Sequence, residues 1–250
     1  MRSVFSMLLV LVALVPTAAL SGCMVTEGVV LLANMTQETE TVDLGSAERV
    51  NVRLEAGVGE FVIRGGAEEL LEADFTYNVA EWKPSIDYSE SEGTGRLTIR
   101  QPELEGKSIP DDAENRWDLR LTESVPLEIE MEAGIADANL DLSGLKIDRL
   151  QIDQGVGSTR VTLGDEISRD VTIDIDGGVG DIVISLPQSA GVRLHADMGI
   201  GSLTAPGFHE RGGAYVNRAY GEAEHTIEVN IDAGVGSVTL RTSGSGSANV

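Results

Sequence analysis

The chain contains few of the residue types that mark a catalytic or metal-binding protein. Its 250 residues include one cysteine, Cys23, and aromatic residues make up only 4%. A single cysteine excludes an internal disulfide, and neither cysteine nor paired histidine occurs with the spacing of a metal site. With so few aromatic side chains, Val, Ile and Leu must fill the core. We therefore predict no metal site and no bound cofactor.

Basic residues are also scarce. Lysine and arginine together number 18 against 41 aspartates and glutamates, which gives a formal net charge of −23. Nucleic acids and anionic lipid headgroups bind through basic patches, so this balance excludes both as favoured partners. Nucleotide-binding glycine motifs are missing as well, because no stretch reads G-x-G-x-x-G or ends in Gly-Lys-Ser/Thr.

The three histidines do not form a catalytic pattern. His195 lies at a polar position of an alternating segment, and His209 and His225 lie in loop-like sequence. A nucleophilic enzyme needs such a base beside its nucleophile. We predict that all three histidines are surface residues and that the chain has no catalytic residue.

What the chain does contain is a repeat, in which a carboxylate is followed two residues later by glycine and then by Val or Ile. The repeat glycines are Gly57, Gly134, Gly155, Gly178, Gly199 and Gly234. Apolar residues occupy the positions seven, five and three before five of the six glycines, as in Val171, Ile173 and Ile175 before Gly178. A period of two is the strand period, so each copy predicts a strand, a corner at the glycine and a second strand.

The spacing of the glycines predicts the architecture. Gly134, Gly155, Gly178 and Gly199 follow one another at intervals of 21, 23 and 21 residues. Such periods are typical of a solenoid, whereas a sandwich of antiparallel strands does not need repeated corners. The predicted fold is therefore all-β, a β-solenoid over residues 46–242 with coils of about 21–23 residues. The longer gaps before Gly134 and Gly234 predict hairpin insertions.

Two roles are expected for the corner residues. Glycine is expected to supply backbone angles that a residue with a Cβ atom resists. The preceding carboxylate is expected to accept a backbone N–H of the turn, and solvated turn acids are favoured over a ladder of bound cations.

The N-terminus is interpreted as a targeting segment. Arg2 precedes an apolar run that is too short for a confident membrane span, and residues 1–22 read as a signal peptide. Leu20-Ser21-Gly22-Cys23 resembles the lipobox of bacterial lipoproteins. That resemblance implies cleavage between Gly22 and Cys23 and lipidation of Cys23; the alternative is an ordinary signal peptide with an incidental cysteine. Residues 23–45 are predicted to be a lipidated tether, and residues 243–250 a flexible tail.

Further segments resemble the bacterial toast-rack domains. They include the segments 72–78, 82–84, 97–100, 117–119 and 125–127, together with the Gly-Val-Gly corners and 227–231. The resemblance implies a β-solenoid-like module outside the cytoplasmic membrane, similar to adhesin-like proteins and to envelope-stress proteins. The family has no established catalytic residues to carry over.

Two function classes follow. The first is a lipid-anchored, non-enzymatic binding or scaffold module of the cell envelope. It would be exported, held at the membrane by its lipid, and bound to an envelope protein or polysaccharide. The alternative is a carbohydrate-active β-helix similar to polysaccharide lyases, in which stacked carboxylates bind calcium and an arginine removes a proton. The net charge of −23 opposes the alternative, because it repels anionic polymers.

Overall fold

The computed structural model describes residues 28–30, 32–104, 107–165 and 167–243, and these residues are all-β as predicted. Their one helical element is a single 3₁₀ turn, Ala80–Trp82, so none of their helices is long and apolar enough to cross a membrane. The strands are β1 (Gly28–Val29), β2 (Leu32–Val42), β3 (Arg49–Ala67), β4 (Leu71–Val79), β5 (Ser85–Ser91), β6 (Thr94–Arg100), β7 (Lys107–Ser108), β8 (Asn115–Thr122), β9 (Pro126–Asp141), β10 (Lys146–Val156), β11 (Thr159–Thr162), β12 (Val171–Val179), β13 (Ile182–Pro187), β14 (Gly191–Thr204), β15 (His209–Arg211), β16 (Ala214–Val216) and β17 (Thr226–Ser243). The predicted signal peptide, the cleavage site at Gly22 and Cys23, and residues 244–250 lie outside the described residues.

Each copy of the repeat has two arms, one before and one after its glycine. The strands β3, β9, β14 and β17 run through both arms, whereas β10 with β11 and β12 with β13 supply the arms as separate strands. First arms pair with first arms and second arms with second arms, always parallel, and in register apart from a bulge at Asp148 of β10. Leu54 of β3, for example, lies opposite Met131 of β9, and Phe61 lies opposite Ala138. The stack is therefore solenoid-like.

The order of copies in the stack differs from their order in the sequence. The strands follow one another as β3, β9, β10, β12, β17 and β14, so the sixth copy lies between the fourth and the fifth. The β15–β16 hairpin, one of the predicted insertions, pairs with the far side of β14. The hairpin therefore covers an edge of β14, and β17, which pairs with β12 and β14, has a parallel partner on each side.

The long gap before Gly134 contains strands that close the other end of the stack. Here β6 pairs with the first arm of β3, and β8 pairs with its second arm. The predicted hairpin is β5–β6; its turn is Glu92–Gly93, where both residues have positive φ, as a type I′ turn requires. The predicted tether is wrong for residues 32–42, which form β2 and pair antiparallel with β4.

The core follows the predicted period of two. Ile173 and Ile184 are fully buried, and so are most of the equivalent residues in the other copies. The few aromatic residues concentrate at the β3 end, where Trp117 packs edge-on against Phe61 and Phe75 with ring centroids 5.2 and 5.5 Å apart.

Five of the six repeat glycines, all but Gly57, are required for a different reason from the one predicted. None of the six has a positive φ among the described residues. A Cβ atom at Gly134 would instead lie 2.7 Å from the carbonyl oxygen of Gly57, and one at Gly178 would lie 2.3 Å from that of Gly155. The corners of neighbouring copies therefore stack too closely for a side chain. Unusual backbone angles occur two residues later, as at Gly180 with φ 151°.

Candidate functional site

The carboxylates of the repeat form one continuous row on the outer surface of the stack. Their register gives the order Glu55, Glu132, Asp153, Asp176, Asp232 and Asp197, which we name the acidic row. Adjacent members are separated by the distance between paired strands, about 4.8 Å. The row combines residues that sequence reasoning singled out, but it places Asp232 between Asp176 and Asp197.

At the β3 end, arginines neutralise the acidic row. Arg53 donates through Nε to Glu55 at 2.7 Å, and its terminal nitrogens reach Glu130 at 2.8 Å and Glu132 at 2.6 Å. Arg100 also binds Glu55. Hydrogen bonds from Arg100 and then Arg53 lower the pKa of Glu55 below its ordinary value, so this carboxylate stays ionised in moderately acidic solution.

At the other end, the acidic row lines a shallow depression of about 710 Å³. Its lining residues include Asp153, Asp176, Asp197 and Asp232, together with His195, Asn230 and Gly213. Within the described part of the chain, no basic side chain forms an ion pair with these four aspartates. This half of the row therefore keeps its negative charge open to solvent.

The expected bond from each corner acid to a turn N–H is not found at these four aspartates in the described chain. The strands pass through or up to the corner in regular pairing, so the nearby backbone N–H groups already bond the neighbouring copy. The four side chains project from the sheet as exposed groups instead.

The side chains of the acidic row do not converge on a common point. Nowhere in the described residues do three or more His, Cys, Asp or Glu side chains form a group able to hold a metal ion. Parallel strands in register point equivalent side chains in the same direction, which keeps the carboxylates apart by the strand spacing. His195 lies in the depression, while His209 is on β15 and His225 lies 4.0 Å from Asp170.

We expect millimolar calcium, added at constant ionic strength, to raise the melting temperature by no more than about one or two degrees. Binding with a millimolar dissociation constant adds only about 0.4 kcal/mol at equal calcium concentration, and the row offers no clustered ligands. Differential scanning calorimetry measures the shift. A large, saturable rise that Asp153→Asn with Asp176→Asn abolishes would contradict this expectation.

A second row lies beside the first, and sequence reasoning gave it no role. The Val or Ile after each repeat glycine forms the apolar row, in the order Val58, Ile135, Val156, Val179, Val235 and Ile200. Five of these side chains are exposed, from 44% for Val235 to 73% for Ile200. In-and-out alternation breaks at the corner, where the glycine and the next residue both face solvent. The signal in the sequence was the invariance of a β-branched residue after every repeat glycine.

Family comparisons match most of the described chain. The profile described as "N-terminal domain of toast_rack, DUF2154" matches residues 32–185. The profile described as "Cell wall-active antibiotics response LiaF, C-terminal" matches residues 134–240. No curated protein matches the chain at a significant level.

Solved structures of two proteins named for adhesion match the chain over most of its length. A "putative cell adhesion protein" from Clostridium sporogenes is 34% identical, with a TM-score of 0.81, over 83% of this chain and 99% of that chain. A "putative adhesin" from Bacteroides fragilis is 13% identical, with a TM-score of 0.33, over 82% of this chain and 96% of that one. The first profile, which covers more than half of the chain, confirms the resemblance to toast-rack domains.

Proposed function

Because the chain belongs to the toast-rack family, we propose that it is a lipid-anchored module of the bacterial cell envelope that binds another envelope component without catalysis. The observation that carries the proposal is the similarity to the Clostridium sporogenes protein, which spans nearly all of that chain at 34% identity. That protein is named for cell adhesion, which is a binding function. The second profile is named for a response to cell-wall-active antibiotics, and this supports an envelope role.

The fold and surface chemistry support binding over catalysis. We propose that the parallel stack is a β-solenoid with hairpin insertions, a fold that exposes long regular surfaces. Its exposed rows repeat one residue type per copy, as in an extended contact surface, whereas an active site assembles different residue types at one point. The lyase-like alternative requires calcium held by stacked carboxylates, and the acidic row lacks clustered ligands among the described residues.

The lipid anchor is tested by Cys23→Ser. We expect this variant to move from the membrane fraction to the soluble fraction, because the cysteine at the end of Leu20-Ser21-Gly22 is the predicted acylation site. Fractionation followed by immunoblotting measures the distribution, with Val25→Ser as the control that should remain at the membrane. Undiminished membrane retention of Cys23→Ser would refute the anchor.

The binding role is tested by cross-linking in the native membrane, followed by partner identification. We expect the folded chain to cross-link to a specific envelope partner. The unfolded chain should not capture that partner. Catalysis is tested separately, by turnover of uronic polymers with and without calcium, and we expect none. Turnover above background would replace the binding proposal with the lyase-like alternative.

A further inference from the structure

The apolar row runs between two rows that carry acids. On its first-arm side lies the acidic row, and on its second-arm side lie residues three positions after each repeat glycine, Glu60, Asp137, Ser158, Asp181, Ser237 and Ser202. Asp137 accepts a hydrogen bond from the backbone N–H of Ser158 at 3.1 Å, and Asp181 accepts bonds from the N–H and hydroxyl of Ser237. These bonds hold both carboxylates in place at the surface. The bonds from Ser237 lower the pKa of Asp181, which keeps it charged.

Strand propensity accounts for a β-branched residue at this position but not for an apolar one, because threonine has the same preference. Five of the six repeat glycines must lack a Cβ because the corners approach closely, but the residue after the glycine faces solvent in five of the six copies. A polar residue would fit there equally well. Six neighbouring members at the strand spacing make a continuous apolar strip roughly 24 Å long. Contiguous exposed apolar strips rimmed by polar residues mark interaction surfaces.

Charge decides which occupant fits. A second copy of the chain would bring another set of acids against these two rows, with a net charge of −23 on each molecule. An anionic lipid surface would be repelled in the same way. A segment with one apolar face and basic residues along both sides complements the apolar row and the two acid-bearing rows that flank it.

Resting on the proposed binding function, we infer that the apolar row and its flanking acids dock a cationic, amphipathic segment of a partner protein. Its apolar face lies on Val156, Val179 and Val235. Its lysines or arginines pair with the open aspartates Asp153, Asp176 and Asp232 on one side, and with Asp137 and Asp181 on the other. The docking centre lies away from β3, because Arg53 and Arg100 already neutralise the acidic row there.

The length of the strip sets the size of the segment. About 24 Å corresponds to roughly 16 residues of helix or to about seven residues of extended chain. The test therefore uses synthetic 18-residue probe peptides. One has leucines at helical spacing flanked by lysines, one is a scramble of the same composition, and one has glutamate in place of lysine.

Binding of these peptides to the purified full chain is measured by fluorescence anisotropy at low and at physiological salt. We expect the amphipathic lysine peptide to bind more tightly than its scramble, and the glutamate peptide not to bind. The variant Val156→Thr with Val179→Thr and Val235→Thr keeps side-chain volume and should weaken binding about tenfold or more. The variant Asp153→Asn with Asp176→Asn and Asp232→Asn should weaken binding and flatten its salt dependence.

Matched control variants remove apolar side chains or carboxylates elsewhere on the surface. Met35→Thr and Ile109→Thr remove exposed apolar side chains, at 46% and 40% exposure, away from the row. Asp111→Asn with Asp112→Asn removes exposed charges from a loop. These controls should bind the lysine peptide as the unchanged chain does, and circular dichroism confirms that every variant is folded.

Several outcomes would overturn the inference. Equal binding of the lysine peptide and its scramble would mean attraction by charge alone, and unchanged binding by the valine variant would exclude the apolar row. A concentration-dependent dimer in sedimentation that the valine variant dissolves would assign the row to self-association. If the valine variant cross-links its envelope partner as the unchanged chain does, the inference fails while the proposed function stands. If the unchanged chain captures no partner but binds the lysine peptide through the row, the proposed function fails instead.

Discussion

Gly178→Ala should destabilise the fold by about 3 kcal/mol or more. The new Cβ atom would lie 2.3 Å from the carbonyl oxygen of Gly155, and real Cβ contacts are essentially never shorter than 3.0 Å. Neither partner can move freely, because β12 is paired in register with β10 on one side and β17 on the other. Overpacking of a core typically costs about 1 to 3 kcal/mol, and here the obstacle is backbone. Urea unfolding measures the loss.

Gly57→Ala is the matched control, since Gly57 holds the same place in the copy nearest the β3 end. No described atom lies within 4 Å of a Cβ built there, and its φ is not positive. We expect a neutral effect or a gain of roughly 0.4 to 1 kcal/mol, because alanine restricts the unfolded chain. Equal losses at Gly57 and Gly178 would rule out the steric explanation.

The strand pattern could be predicted because buried residues recur at every second position, and this period is visible in the sequence. Val171, Ile173 and Ile175 alternate with polar residues, and each faces the core. The order of the stack could not be predicted, because every copy presents the same rows. Ile231 of β17 lies opposite Ile175 on one side and Ala196 on the other, so either neighbour satisfies the pattern.

The strand β2 was missed because its apolar residues are few and do not alternate. It pairs along one edge with β4, and much of it is exposed, so its sequence reads like a linker. Its strand conformation comes from pairing with the edge of β4. Thr39 adds a side-chain bond to Asp74 at 2.7 Å.

The site was predicted in part. The sequence identified the acids of the repeat, because residue type and spacing are visible in one dimension. It did not identify which acids are neutralised, since Arg53 reaches Glu130 and Glu132 from a strand 77 and 79 residues away in the chain. Exposure of the apolar row also depends on the corner, where two successive residues face outward and the strand period no longer applies.

Ile173→Ala should cost about 2 to 5 kcal/mol, the range for truncating a buried aliphatic side chain. Ile173 is fully buried in the middle of β12, opposite Leu150 of β10 and Val229 of β17, which are also fully buried. Paired strands on both sides hold these neighbours in place, so the site cannot collapse around the missing atoms. Ile184→Ala on the second arm should behave alike.

Asp174→Ala, one residue along the same strand, separates burial from strand position. Asp174 is half-buried, pairs with Arg149 and accepts a 2.8 Å hydrogen bond from Asn230. Because these bonds lie at the surface, we expect a loss of at most about 1 kcal/mol. Thermal and urea unfolding of the two variants provide the comparison. Comparable losses for Ile173→Ala and Asp174→Ala would mean that the inner and outer faces of β12 are not distinguished by burial, against the period-two assignment on which the whole stack depends.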